Sequence, residues 1–200
     1  MLCITRPAVV KDIHREYLAA GADIISTDTF NANAVSMADY GLDGRPGIIR
    51  EINRAGASLA KEVATEGADR PWGGKALVAG SIGPTNKSAT MSPDVADPAA
   101  RNITYDQLYD AYLDQVCGLM EGGVDLLLFE TVFDTLNLKA GLAAAHEAIA
   151  KIGREIPIMV SATVSDKSGR TLSGQTLPAF AASIEEFPCV VTLGLNCSFG

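Results

Sequence analysis

The sequence predicts an α/β fold, an incomplete (β/α)8 barrel with about five parallel strands present. Three observations carry this. Strand-like and helix-like segments alternate along the whole chain, the pattern of βαβ units feeding a parallel sheet. The strand-like segments are continuous apolar runs, so both faces of the sheet are covered. One segment also echoes another. Gly21-Ala22-Asp23-Ile24-Ile25 resembles Gly123-Val124-Asp125-Leu126-Leu127, and counting on from the glycines aligns Asp28 with Glu130 and Thr29 with Thr131. Such a sheet can close into a barrel or remain open and doubly wound. No Gly-x-Gly-x-x-Gly follows a strand, which weakens the dinucleotide-binding form of the open sheet, and the barrel is favoured.

The elements follow in order. Thr5 and Pro7 open a helix that runs through Ile13, Tyr17 and Leu18 and stops at Gly21, with proline in the first turn, where its missing N–H costs nothing. A short apolar strand covers 23–27. A Gly- and Pro-rich turn, 41–47, precedes a helix over 48–66. Residues 76–82 read as the second strand, and a long polar loop runs over 83–102. Thr104 caps a helix to about Glu121. Residues 124–129 form the third strand, and 135–152 a helix of good helix formers. The fourth strand spans 156–163. A loop with Asp166, Gly169 and Gly174 leads to a helix ending near Glu186, and 189–195 is the fifth strand. A closed barrel needs eight strands and about 250 residues. The expectation is therefore one domain over residues 1–200, truncated at both ends, without the first strand and the last two.

Composition narrows the function. The net charge of −8 argues against nucleic acid or an anionic membrane surface as partner. No apolar run approaches the ~20 residues of a membrane span, and nothing near Met1 has the pattern of a signal peptide. Cys3, Cys117, Cys189 and Cys197 do not suggest a disulfide framework, so a reducing, cytoplasmic setting is expected.

In a barrel the active site lies at the C-terminal ends of the strands. Asp28, Glu130 and Cys197 all stand at such ends and could share one rim. Glu130 closes the run Leu126-Leu127-Leu128-Phe129, where a carboxylate is costly unless paired. It is either held by backbone N–H groups or acts as a clamp for a cationic group such as an ammonium. Asp28, Thr29 and Asn31 form a polar cluster that reads as a hydrogen-bonded rim loop or as substrate-binding residues. Cys197 follows the apolar run 190–195 between Asn196 and Ser198; alone it is compatible with packing, because no Cys-x-x-Cys or His-x-x-x-His spacing accompanies it. Asp134 is expected to cap the helix after it. His14 and His146 lie in helical segments and read as surface or packing residues. Lys75 precedes its strand, which counts against Schiff-base chemistry.

Several motifs together resemble a known family. Gly83-Pro84-Thr85-Asn86, Ser92-Pro93-Asp94-Val95, Arg101-Asn102-Ile103-Thr104, Phe129-Glu130-Thr131-Val132-Phe133-Asp134-Thr135, Ser168-Gly169-Arg170-Thr171-Leu172-Ser173-Gly174-Gln175 and Gly194-Leu195-Asn196-Cys197 look like the homocysteine-binding domain of the homocysteine methyltransferases. The long Ser-Pro-Asp loop points to their cobalamin-dependent methionine synthase branch. The resemblance covers essentially the whole chain. It implies a (β/α)8 barrel that binds homocysteine on Zn2+ held by three cysteine thiolates. Cys197 matches the first, and the other two lie beyond Gly200. Glu130 would hold the homocysteine ammonium. Methylcobalamin would bind other parts of a longer chain, which would also carry folate, cobalamin and reactivation domains. Where the family's rim reads Glu-Thr-Asn-Thr-Phe, this chain reads Ser26-Thr27-Asp28-Thr29-Phe30, which leaves the contact made by Asp28 open. The alternatives are a betaine- or S-methylmethionine-dependent homocysteine methyltransferase, a pterin-binding barrel, and an incomplete, non-catalytic barrel module.

Overall fold

The computed structural model describes residues 1–165 and 167–198; Asp166 of the predicted loop, together with Phe199 and Gly200, lies outside them. A short helix, α1 (Leu2–Thr5), and α2 (Pro7–Ala19) lead into β1 (Ile24–Ser26). Next come α3 (Ala34–Met37), a 3-10 turn (Ala38–Tyr40), and α4 (Ile48–Glu66). The remainder alternates as predicted: β2 (Leu77–Ile82), α5 (Tyr105–Glu121), β3 (Leu126–Val132), α6 (Thr135–Ile152), β4 (Ile158–Ala162), α7 (Leu177–Ile184) and β5 (Val190–Leu195). The strands form one sheet in sequence order, each parallel to the next. The sheet is not closed, and β1 and β5 are its edges among the described residues.

The local signals explain these boundaries. Thr104 begins α5 with a reciprocal capping box: its hydroxyl accepts from the Gln107 N–H, and the Gln107 side chain accepts from the Thr104 N–H. Asp134 caps α6 by accepting from the N–H groups of Leu136 and Asn137. The sequence echo is a structural repeat, since α2 and α5 both turn into the next strand through a left-handed glycine, Gly21 at φ 99° and Gly123 at φ 92°. The short helices α1 and α3 are too brief for periodicity to reveal; α3 rests on Asn33, whose side chain accepts from the Ser36 N–H.

One face of the sheet packs against the helices. Val78, Ile82, Leu127, Phe129, Ile158 and Val160 point there and join Leu108, Val116, Leu119 and Leu142 in the main core. Burying such side chains contributes about 1.5–3 kcal/mol each, which is what holds the helix layer on. The same face of β5 is uncovered: Val191, Leu193 and Leu195 are exposed. Among the described residues no helix is long and apolar enough to cross a membrane.

One strand differs from the reading in a way that matters. The third strand, expected to stop at Phe129, continues to Val132. Phe129 pairs with Val160 and Val132 with Ala162, so Glu130 and Thr131 together oppose the single residue Ser161. This is a β-bulge, which bends a strand and re-aims its side chains. Glu130 is therefore part of the strand rather than the first residue after it.

Candidate active site

The bulge places Glu130 on the face of the sheet opposite the helices. There it lines a cavity of about 250 Å³ together with Leu128, Met159, Ser161, Thr192 and Asn196. Ser81 reaches across from β2 and donates its hydroxyl to Glu130 Oε1 at 2.6 Å. Ser81 is buried and fixed in turn. Its N–H donates to Thr27 Oγ1 at 2.9 Å, and its carbonyl accepts from Thr29 Oγ1 at 2.8 Å. The two threonine hydroxyls share a bond of 2.6 Å. Because β1, β2 and β3 lie side by side, this relay of hydroxyls runs across the ends of all three strands and holds the carboxylate in one orientation.

From the other side comes Asn196, just beyond β5. Its N–H continues the ladder by donating to Ala162 O at 3.0 Å, while its side chain passes over the end of β4 to Thr131. The Thr131 N–H donates to Asn196 Oδ1 at 2.8 Å, and Asn196 Nδ2 donates to Thr131 Oγ1 at 2.8 Å. Cys197 follows, exposed, with its carbonyl accepting from Thr163 Oγ1 at 3.1 Å. Its sulfur lies 3.4 Å from Asn196 Nδ2 and 3.7 Å from Thr131 Oγ1. Thr131 at φ 60° and Cys197 at φ 52° are the two non-glycine residues of positive φ among the described residues. Left-handed backbone at such residues costs roughly 1–3 kcal/mol each and persists only where the surroundings enforce it. The two strained residues meet side chain to side chain, Thr131 being the residue after Glu130.

The remaining candidates sit elsewhere. Thr29 is buried behind Ser81 and reaches Glu130 only through it. Asp28 lies near α4, where a Cβ added at Gly56 would stand 2.8 Å from Asp28 Oδ1. It opens on a separate cavity of about 450 Å³ lined by Leu2, Val10, His14, Ile24 and Ser26. Loss of solvation there pushes its carboxyl above the usual carboxylate range. Asn31 lines a third cavity, of about 370 Å³, with Met37, Tyr40 and Asn86. Of the sequence candidates, Glu130 lines the cavity beside Asn196, and Cys197 is the residue after Asn196, its sulfur facing Thr131, the neighbour of Glu130. Burial raises the thiols of Cys3, Cys117 and Cys189, in keeping with packing roles.

Three participants were not singled out from sequence: Ser81, Thr131 and Asn196. Ser81 carried a signal, a hydroxyl inside the otherwise apolar strand 77–82. Asn196 and Thr131 stand within quoted motifs, but nothing in the sequence pairs them, because their partnership joins strands that are not neighbours. Asp134 does more than cap. Buried to 2%, it also accepts from the hydroxyls of Ser88 and Thr90 and ties the long loop after β2 to the start of α6. Asn137 reinforces this by accepting from the Ala89 N–H and donating to Lys87 O.

As a metal donor set, the described residues offer one exposed thiol; no group of three His, Cys, Asp or Glu among them could hold an ion. A soft thiolate at a strand end with N–H and O–H groups facing its sulfur suits one corner of a tetrahedral thiolate site. Further corners must come from other residues.

Comparison with solved structures agrees with the fold. The chain superposes on the metallated form of the homocysteine methyltransferase MmuM from Escherichia coli with a TM-score of 0.74 and 24% identity, covering 98% of this chain and 65% of that one. The oxidized form gives 0.73 and 23%, over 98% and 64%. The 6-hydroxypseudooxynicotine amine oxidase HisD from Pseudomonas geniculata N1 gives 0.58 and 14%, over 94% of this chain and 33% of that one. The chain thus spans just under two thirds of the methyltransferase's length. In sequence, the homocysteine S-methyltransferase family matches residues 1–199, a stretch that contains every strand, the bulge and Cys197. With that match over nearly its whole length, the chain belongs to the homocysteine S-methyltransferase family.

Proposed function

We propose that this chain carries the homocysteine-binding side of a zinc-dependent methyltransferase that converts homocysteine to methionine. What supports it most is Glu130, a carboxylate held by Ser81 in a cavity that Asn196, the residue before Cys197, also lines. The bulge in β3 turns the carboxylate to the face opposite the helices, and the exposed thiol of Cys197 follows Asn196 just beyond β5. Glu130, held by Ser81 at one oxygen, orients the substrate by accepting from its ammonium, and a charge-assisted bond of this kind is among the stronger ones. Cys197 is one of three thiolate ligands of Zn2+, the other two contributed by residues outside this chain. Bound zinc would supply a Lewis acid that favours the thiolate form of the substrate sulfur at neutral pH, where a free thiol of pKa about 8.5 is mostly protonated. Fixing the amino-acid end at Glu130 and the sulfur end near Cys197 leaves the substrate little freedom, and that orientation lowers the barrier.

The methyl donor is methylcobalamin in this reading, delivered by other domains of a longer chain. The Ser92-Pro93-Asp94-Val95 loop supports this over betaine or S-methylmethionine. Thr29 contributes through Ser81. Asp28 and Asn31 open on other cavities, and no direct substrate contact is assigned to them.

Two substitutions in the full-length protein that carries this chain test the proposal. Cys197→Ala is expected to abolish zinc retention; near-stoichiometric zinc after gel filtration would overturn the ligand assignment. Glu130→Ala is expected to raise the KM for homocysteine by about 10- to 100-fold, the loss of one charged hydrogen bond. An unchanged KM would remove the ammonium clamp.

A further inference from the structure

We infer that Asn196 is a positioning residue whose side-chain amide, locked by Thr131, aims the sulfur of Cys197 into the site. This rests on the reading of Cys197 as a metal-bound thiolate.

The orientation of the amide follows from its partners. The Thr131 N–H can only donate, so the atom it meets must be Oδ1. Nδ2 then faces the other way, with one hydrogen for Thr131 Oγ1 at 2.8 Å and one for Cys197 Sγ at 3.4 Å. The Thr131 hydroxyl, having accepted from Nδ2, keeps its own hydrogen free to turn toward the same sulfur 3.7 Å away. Two donors thus converge on Sγ. That arrangement suits a thiolate, which needs donors around it, and outer-shell donors of this kind fix the direction of a metal ligand.

The backbone is arranged around this contact. In a regular strand the Thr131 N–H would serve the ladder with β4. The bulge takes it out of the ladder, since Glu130 and Thr131 share one opposing residue, and points it at Asn196. The left-handed turns at Thr131 and Cys197 complete the closure. Thr131 is β-branched, and such residues rarely adopt positive φ. A bridge that served only to hold strands together would not need strained backbone at Thr131 and Cys197, because the ladder bond from the Asn196 N–H to Ala162 O and the bond from the Thr163 hydroxyl to Cys197 O already tie the end of β5 to β4, and β4 is in turn paired with β3. The strain is explained if the side chains must meet at the sulfur.

The test uses the full-length protein carrying this chain, with cobalt(II) as probe in place of zinc. Thiolate-to-cobalt absorption reports the sulfur, competition with a chelator reports affinity, and thermal unfolding reports the fold. Asn196→Asp is the informative variant. Its carboxylate still accepts from both the N–H and the hydroxyl of Thr131, so the bridge survives, but it turns the donor facing Sγ into an anion. The expected result is cobalt affinity weakened by about tenfold or more, a shifted thiolate band and an unchanged unfolding midpoint. Thr131→Ser, which keeps the hydroxyl, is expected to bind cobalt like the wild type, whereas Thr131→Val loses affinity severalfold. Wild-type affinity and band in Asn196→Asp would overturn the inference. If that variant does not fold, equal affinities in Thr131→Ser and Thr131→Val would overturn it instead. A wild-type protein with no thiolate band would remove the metal reading itself, and the positioning role with it.

Discussion

His14 shows how a single residue takes its properties from its surroundings. It sits on α2 and is buried to 5%, and its Nε2 has no hydrogen-bond partner among the described residues. Burial pulls its pKa below the ordinary 6.5, with nearby Asp28 pulling less strongly the other way. The folded state therefore disfavours protonated His14. Its contribution to stability is present above about pH 6.5 and is lost as pH falls through the depressed folded value. Asp28 acts in the opposite sense at lower pH: its raised carboxyl favours the folded state in acid and loses that contribution as pH rises. Urea unfolding between pH 7.5 and 5 is expected to show stability falling with acid, by no more than about 1.4 kcal/mol per pH unit for one proton. His14→Gln is expected to flatten that slope. An unchanged slope in His14→Gln would show that another group is responsible.

At the scale of elements, the helix layer depends on close approach. Gly118 on α5 and Gly122 at its C-cap, one turn apart, face the backbone of α4; a Cβ would meet Arg50 O at 2.6 Å from Gly118 and Arg54 O at 2.6 Å from Gly122. Backbone cannot move aside as a side chain can. Gly122→Ala is therefore expected to cost about 1–3 kcal/mol, the range of overpacked interiors, although alanine is the better helix former. Gly44→Ala, where nothing lies within 4 Å and φ is not left-handed, is expected to be close to neutral. The difference in urea midpoint between the two variants reads this directly, and equal midpoints would mean that α4 and α5 can separate freely.

At the scale of the whole molecule, the open sheet has consequences. β5 presents Val191, Leu193 and Leu195 on the face that the helices cover elsewhere, next to an unpaired strand edge. Exposed apolar strands at a sheet edge are templates for association. The 200-residue chain alone is expected to self-associate at micromolar concentration and to bind an apolar fluorescent dye. Changing Val191 and Leu193 to Lys is expected to reduce both, as charged residues protect natural edges. A monomeric, dye-free wild-type chain in sedimentation would contradict this.

Much of this protein was legible without a structure because its signals are local. A helix start is a matter of which side chain can reach the first free N–H groups, so Thr104, Asp134 and Pro7 mark their helices from sequence alone. Continuous apolar runs between those helices point to a parallel sheet covered on both faces, and a carboxylate closing such a run, as at Glu130, announces a special position. The sequence by itself thus determined the order of elements and the parallel sheet, and marked Glu130 as a special position. Only the tertiary structure decided how those residues meet. The bulge exists because β3 and β4 pair out of step between Phe129 and Val132; the relay from Thr29 through Ser81 to Glu130 joins three strands, and the Asn196–Thr131 bridge passes over a fourth. The physical reason is distance along the chain. Asn196 and Thr131 stand 65 residues apart, and no local propensity encodes a hydrogen bond that forms only after the whole sheet has assembled.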